Sequence, residues 1–246
     1  MSNISVARKR NCNQNKEYIN EICRGYKTTT FDAHFIEEPI PASCLMQSCM
    51  FKVTSIREPG VRLLSLFMNL FWKSTKKKEW TLRSLNVSTM QEAFDIFVES
   101  LDNPCRDQIA LRSDGQKMLR QKMNAIHRMA NQQVSFLTDS SIDACKSSNK
   151  RILRTCFFTL ASFQRVIITG SFPAGLRSLT NAFGISSGMN PEARLGNNIK
   201  RDVFLAENYN ISFVHARSRA YLDACLYNFV KSYFNKDGRA GHVSNV

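Results

Sequence analysis

The apolar positions of residues 51–73 change their spacing once, and this change predicts a strand, a turn and a helix. The segment begins with a β-type run from Phe51 to Ile56, which is interrupted at Glu58, Pro59 and Gly60. Apolar residues then recur at helical spacing: Leu63, Leu64, Phe67, Leu70 and Phe71. Because proline is favoured at the first helical position, we expect a helix that begins near Pro59.

A second stretch of the chain has the same order of patterns. Val166 to Thr169 is β-branched throughout, which favours a strand. Leu176, Leu179 and Phe183 then fall on one helical face, and Gly184 suits a helix C-cap. Two strand–helix units favour an α/β fold, with a parallel sheet and helical crossovers.

The insertion between these units, at about residues 75–160, reads as mostly helical. Thr89 to Glu92 has the sequence of a capping box. It is expected to open a helix with Phe94, Phe97 and Leu101 facing inward. A further helix is expected over residues 116–130, and the insertion as a whole is expected beside a ligand-binding cleft.

Two side chains of the first unit suit a phosphate. Arg57 follows the predicted strand at its carboxyl end, where ligands bind in open α/β sheets. Ser65 lies about two turns into the predicted helix. A guanidinium, a helix amino end and a hydroxyl that converge on one point could hold an anion. The alternative is an amphipathic helix after a strand, with Arg57 as an ordinary surface cation.

The spacing of Arg57-Glu58-Pro59, Arg62 and Ser65 resembles the 3′-phosphate-binding motif of the Golgi carbohydrate sulfotransferases. These enzymes use 3′-phosphoadenosine-5′-phosphosulfate (PAPS). The segment 163–184 is similar to a later strand–turn–helix of that family. Residues 221–234 resemble its closing helix, with matches at Asp223, Leu226, Tyr227 and Phe234. The resemblance covers roughly residues 31–236, and the galactose-3-O- and heparan sulfate 2-O-sulfotransferases look closest.

The resemblance implies a P-loop-kinase-like sulfotransferase fold and a sulfuryl transfer. Arg57 and Ser65 would bind the 3′-phosphate of PAPS, the co-substrate, and no metal would be needed. The acceptor would be a galactose or uronic acid hydroxyl of a glycolipid, glycoprotein or glycosaminoglycan, in the Golgi lumen. His34 matches a family histidine that serves as the catalytic base, although Phe35 replaces the basic residue expected next. The alternative is a strand-end histidine without a chemical role.

The amino-terminal part departs from the family. Lys27 to Thr30 has the lysine and the hydroxyls of the 5′-phosphosulfate loop but lacks its glycine, which such loops need for positive φ angles. Gly170 replaces the family's acid after the second strand. No apolar run reaches the ~18–20 residues that span a bilayer, so the expected membrane anchor is also missing. An amino-terminally incomplete chain explains both absences; a catalytically inactive relative with a residual nucleotide or glycan site is the alternative.

The domain organisation follows from the same patterns. Residues 1–30 are a polar lead-in that a disordered segment would fit, 31–236 form the sulfotransferase-like domain, and 237–246 form a flexible tail. The eight cysteines include no close CxxC pair, so a structural zinc site is not expected. Asn-x-Ser sequons at Asn3, Asn86 and Asn210 fit a glycoprotein of the secretory pathway.

The charge balance leaves one further class of function open. Lys and Arg number 34 against 20 Asp and Glu, so the net charge is +14 and anions are attracted. Much of this excess lies in two clusters, Lys73 with Lys76 to Lys78, and Lys117 to Arg128. A basic nucleic-acid-binding protein is the remaining alternative. It is disfavoured because the aromatic residues lie at the spacing of buried helix faces and no standard nucleic-acid-binding motif is present.

Overall fold

The computed structural model describes the backbone of residues 4–8 and 31–35, and residues 52–102, 114–124, 126–138, 147–169 and 211–234. The elements in chain order are β1 Ile4–Arg8, β2 Phe31–Phe35, β3 Val53–Ile56, α1 Pro59–Phe67, α2 Thr75–Leu85, α3 Met90–Glu99, α4 Asp114–Lys122, α5 Gln132–Leu137, α6 Asn149–Ala161, β4 Arg165–Ile168, α7 Val214–Arg219 and α8 Tyr221–Tyr233. The described chain is therefore mostly helical with short parallel strand pairs. This arrangement is compatible with the predicted α/β class.

The strands form two parallel pairs. β3 pairs with β4, with Val53 opposite Arg165 and Ile56 opposite Ile168. β1 pairs with β2 in the same direction. Both predicted strands of the strand–helix units are thus confirmed, as is their parallel pairing. The helix predicted after β4 lies outside the described residues.

Helix α1 begins at Pro59, as the sequence predicts. Its buried positions include Leu63, Leu64 and Phe67, which recur at the helical spacing seen in the sequence. A π-helical turn, Met68–Trp72, follows and adds Phe71 and Trp72 to the buried surface. The extra residue per turn lets this apolar stripe continue beyond the end of α1.

Two apolar clusters organise the described residues. In the first, the rings of Phe67, Phe71, Phe94 and Phe97 meet at centroid distances of 5.5–6.2 Å. The second cluster joins Ile56 of β3 and Val166 of β4 to the helices α5, α6 and α8. Ile56 is 2% exposed, so the last residue of β3 is anchored in this core. The residue after it, Arg57, is thereby held at the edge of the core.

The helical character of the insertion is confirmed for its described residues. The capping box is present: Thr89 Oγ1 accepts a hydrogen bond from the Glu92 N–H, and the Glu92 carboxylate accepts one from the Thr89 N–H. Phe94, Phe97 and Leu101 are fully buried, as predicted.

The helix predicted over residues 116–130 is wrong in its extent, since α4 ends at Lys122. A 3₁₀ turn, Ile126–Arg128, lies beyond it. Arg128 folds back, and its Nε donates to the carbonyls of Arg120 and Met123 at 3.1 and 3.0 Å. These bonds satisfy carbonyls at the end of α4 that a continued helix would have satisfied.

Candidate functional site

Arg57 lies where the sequence predicts it, directly after the last residue of β3. Its main chain is held by the side-chain amide of Gln133. Gln133 Oε1 accepts from the Arg57 N–H at 2.7 Å, and Gln133 Nε2 donates to the Arg57 carbonyl at 2.9 Å. Arg57 is partly buried. One side chain therefore satisfies both main-chain groups of the residue that is predicted to bind the anion.

The amino end of α1 is occupied by a carboxylate of the chain itself. Glu58 Oε2 accepts from the Val61 N–H at 2.7 Å, and Glu58 Oε1 accepts from Arg217 Nε at 2.7 Å. Phe213 covers Gly60 so closely that an added Cβ would lie 2.6 Å from its ring. The expected contribution of the helix amino end to an anion site is therefore not supported, because Glu58 takes that place. The side chains of Arg57 and Ser65 remain as candidates.

Arg62 turns inward from α1 and makes three contacts. Its Nη1 donates to Gln132 Oε1 at 2.7 Å, and its Nη2 donates to the Ala130 carbonyl at 2.5 Å. Nη2 also lies 3.4 Å from Asp223 Oδ2. The side chain of Arg62 is 12% exposed and that of Asp223 is 0% exposed. The structure thus contains a buried ion pair between α1 and α8.

Burial opposes the charge on both members of this pair. Desolvation lowers the pKa of Arg62, with Asp223 raising it and Arg57 lowering it further. Desolvation likewise raises the pKa of Asp223, against the effect of Arg62 and of nearby N–H donors. The geometry favours the ionised pair, because arginine keeps its proton in proteins and several donors surround the carboxylate.

Asp223 fixes a short segment, residues 130–134, against α8. It accepts hydrogen bonds from the main-chain N–H groups of Gln133 and Val134 at 3.2 and 2.9 Å. Asn131 Oδ1 in turn accepts from the N–H groups of Leu222 and Asp223 at 3.0 and 3.2 Å. The segment therefore connects the first turn of α8 to Arg57 at the end of β3.

Ser65 lies in α1, as predicted, three residues after Arg62 and partly buried. This spacing puts the two residues on neighbouring positions of one helix surface. Contact of Arg57 and Ser65 with one common anion stays a prediction. His34 lies in β2 opposite Ala7 of β1, and its side chain lies outside the described residues. Lys27 to Thr30 and Gly170 lie outside them as well.

Both basic clusters include side chains that make contacts within the chain. In the second cluster, Arg120 pairs with Asp102 at 2.6 Å and Lys122 lies 4.4 Å from the ring centroid of Trp80. Arg128 binds the carbonyls at the end of α4. In the first cluster, Lys73 and Lys76 are exposed. Lys77 Nζ donates to the Asn69 carbonyl at 3.3 Å, and Lys78 Nζ lies 5.6 Å from the ring centroid of Trp72.

The residues that organise this site were partly missed from the sequence. The resemblance matches Asp223 to the closing helix without giving it a role, and no pattern in the sequence singles out Gln133 or Asn131. One signal was available for Asp223, since it shares a helix face with Leu226 and Val230 and so had to be buried. An acid on an apolar face requires a partner. Gln133 offers no comparable signal, because a glutamine in a polar run is ordinary.

The described residues lack two kinds of feature. They contain no group of three His, Cys, Asp or Glu side chains placed to bind a metal ion. No helix among them combines the length and the apolar character needed to cross a bilayer.

The chain matches no protein-family model, no curated protein and no solved structure.

Proposed function

We propose that the chain binds the 3′-phosphate of PAPS through Arg57 and Ser65 and transfers the sulfuryl group to a carbohydrate hydroxyl. The observation that carries this proposal is the placement of Arg57, immediately after a parallel strand whose last residue, Ile56, is buried, and with its main chain fixed by Gln133. A guanidinium on a rigid main chain binds phosphate at a lower entropic cost than one on a mobile loop. Ser65 on the adjoining helix supplies a hydroxyl donor.

The proposed reaction needs one base and one leaving group. The acceptor hydroxyl oxygen forms a bond to sulfur while the bond from sulfur to the 5′-phosphate oxygen breaks. The hydroxyl proton passes to the imidazole of His34, whose unperturbed pKa of about 6.5 suits a general base near neutral pH. Adenosine 3′,5′-bisphosphate leaves. By resemblance to the family, the acceptor is a galactose- or uronate-bearing glycan and the location is the Golgi lumen.

Two alternatives are kept as outcomes of the experiments. A catalytically inactive relative would bind the nucleotide without transferring sulfate. A nucleic-acid-binding protein would show no preference for the 3′-phosphate of a mononucleotide. The aromatic rings of Phe67, Phe71, Phe94 and Phe97 are buried in the core, so they are not presented for stacking on bases.

Binding is tested by calorimetry with adenosine 3′,5′-bisphosphate. We expect salt-sensitive binding by the full chain and its loss in Arg57→Ala, because a bidentate cation on phosphate is hard to replace. Arg151→Ala is the matched control, since it removes the same charge from an exposed position on α6. Equal affinities of the wild type and Arg57→Ala would reject Arg57 as the phosphate ligand.

Transfer is tested with radiolabelled PAPS and a panel of galactose- and uronate-bearing glycans. We expect His34→Ala to reduce transfer while leaving nucleotide binding intact. Loss of a general base typically costs about 10²–10⁴-fold in rate. Nucleotide binding without any transfer would instead identify the inactive relative. Full activity of His34→Ala would remove His34 from the mechanism.

A further inference from the structure

We propose that Gln133 is a positioning residue, which sets the direction of the Arg57 guanidinium by clamping the Arg57 main chain. This inference rests on the proposed function and adds a second residue to the same anion site. It assigns a specific task to a glutamine that lies 76 positions from Arg57 in the sequence.

The Gln133 amide binds the main chain directly beyond the end of the β3–β4 pairing. Ile56 is the last residue of β3, and it lies opposite Ile168 of β4. Thr169 Oγ1 donates to the Ile56 carbonyl at 3.2 Å, so this main-chain group is bound by a side chain. At the next residue, the amide of Gln133 provides an acceptor and a donor at 2.7 and 2.9 Å. Gln133 thus supplies to Arg57 the pair of hydrogen bonds that a neighbouring strand would supply.

Gln133 is itself held from the opposite side. Its main-chain N–H donates to Asp223 Oδ2 at 3.2 Å, and the next N–H, that of Val134, donates to Asp223 Oδ1 at 2.9 Å. Asp223 is completely buried and lies beside Arg62. The glutamine side chain therefore extends from a fixed main chain, which is the condition for a rigid supporting contact.

The clamp matters for binding because the position of the Arg57 main chain determines the direction in which its guanidinium extends towards an anion. Without the amide, the Arg57 N–H and carbonyl lose their two hydrogen bonds to Gln133, and the main chain after Ile56 gains freedom. Misplacement by about 1 Å can cost on the order of 100-fold in a reaction that depends on geometry. We expect roughly a tenfold loss of preference for a 3′-phosphate, since part of the interaction survives in a mobile arginine.

The test compares adenosine 3′,5′-bisphosphate with adenosine 5′-monophosphate, which differ only in the 3′-phosphate. Gln133→Met keeps the length of the side chain and removes both hydrogen bonds. Gln121→Met, at an exposed position of α4, is the control. The readout is the ratio of the two dissociation constants, because general damage to the fold would weaken both ligands alike. We expect Gln133→Met to move this ratio towards that of Arg57→Ala, with 5′-monophosphate binding and Gln121→Met unchanged.

A second variant keeps the test decisive if Gln133→Met fails to fold. Gln133→Glu retains an acceptor for the Arg57 N–H and loses the donor to the Arg57 carbonyl, so an intermediate ratio is expected. A wild-type ratio in either folded variant, with Arg57→Ala still defective, would overturn the role of Gln133 alone. A wild-type chain without any preference for the 3′-phosphate would overturn the proposed function and this inference together.

Discussion

Replacement of Asp223 by alanine should be the most damaging single change at the site. The carboxylate is 0% exposed and lies 3.4 Å from Arg62 Nη2. It also accepts hydrogen bonds from the N–H groups of Gln133 and Val134. Asp223→Ala leaves a buried guanidinium without its counter-charge and two N–H groups without an acceptor. Removing one partner of a buried ion pair typically costs about 3–5 kcal/mol.

This cost is a large fraction of the stability of a typical domain, which is about 5–15 kcal/mol. The free energy of unfolding of the full chain is measured in urea, and the midpoint temperature by circular dichroism. A loss of about 3–5 kcal/mol corresponds to roughly 6–20 °C at ~2–4 °C per kcal/mol. Asp114→Ala is the control, because the side chain of Asp114 is 97% exposed in its pair with Lys117 and its removal should lower the midpoint by no more than the ~2–4 °C that an exposed ion pair supplies.

The reasoning is refuted if Asp223→Ala loses less than about 1 kcal/mol, the value typical of exposed ion pairs. A double-mutant cycle with Arg62→Met isolates the interaction between the two side chains. In the Arg62→Met background, Asp223→Ala should cost clearly less than in the wild type, since the unpaired guanidinium is then absent. Equal costs in both backgrounds would show that the backbone hydrogen bonds, and not the ion pair, determine the effect.

Two further predictions concern packing and titration. Gly60→Ala should destabilise the chain by about 1–3 kcal/mol, because its Cβ would lie 2.6 Å from Phe213 Cγ and 2.7 Å from Phe213 Cβ; in urea unfolding the loss should disappear in the Phe213→Gly background, which removes both atoms, and persistence there would exclude this contact as the cause. Burial raises the pKa of Cys156 to about 12, so the native thiol should resist iodoacetamide at pH 8 and react after unfolding, as followed by peptide mapping. Because the pKa of Cys156 is higher in the folded than in the unfolded chain, its contribution to stability is complete below about pH 8.5. This contribution declines as the pH rises towards 12, at up to ~1.4 kcal/mol per pH unit. Cys156→Ala should remove this decline, and an unchanged decline in the variant would contradict the raised pKa.

The elements around Arg57 could be predicted because their signals are local. The change from β-type to helical spacing lies within residues 51–73, and Pro59 marks the first position of α1. The capping box of α3 is equally local, since Thr89 and Glu92 are three residues apart. In each case the residues that determine the structure lie within one or two turns of one another.

The end of α4 could not be predicted in this way. The apolar and basic residues of 116–130 continue a helical pattern, and the helix nevertheless ends at Lys122. Beyond its end, the side chain of Arg128 returns to bind the carbonyls of Arg120 and Met123. A side chain that competes with main-chain bonds changes the extent of an element without changing the pattern of hydrophobicity.

The hydrogen bonds that support the candidate site could not be predicted for the same reason, and they join residues that lie much further apart in the sequence. Gln133 contacts a residue 76 positions away, and Asp223 accepts bonds from residues 89 and 90 positions away. Hydrophobic periodicity reports which face is buried, and it therefore indicates that Asp223 is inside. It carries no information on which polar group satisfies that acid.

These contacts connect α8 to Arg57 through one continuous path, from Asp223 to the main chain of Gln133 and from the Gln133 amide to Arg57. If the path acts as a unit, the two changes Asp223→Ala and Gln133→Met affect the same property, the direction of the Arg57 guanidinium. Residues that share one network give effects that do not add. The double variant should therefore lose little more 3′-phosphate preference than Gln133→Met alone, although its stability should fall further because the buried Arg62 is then unpaired. Independent, additive losses of preference would mean that Asp223 reaches the anion site by another route.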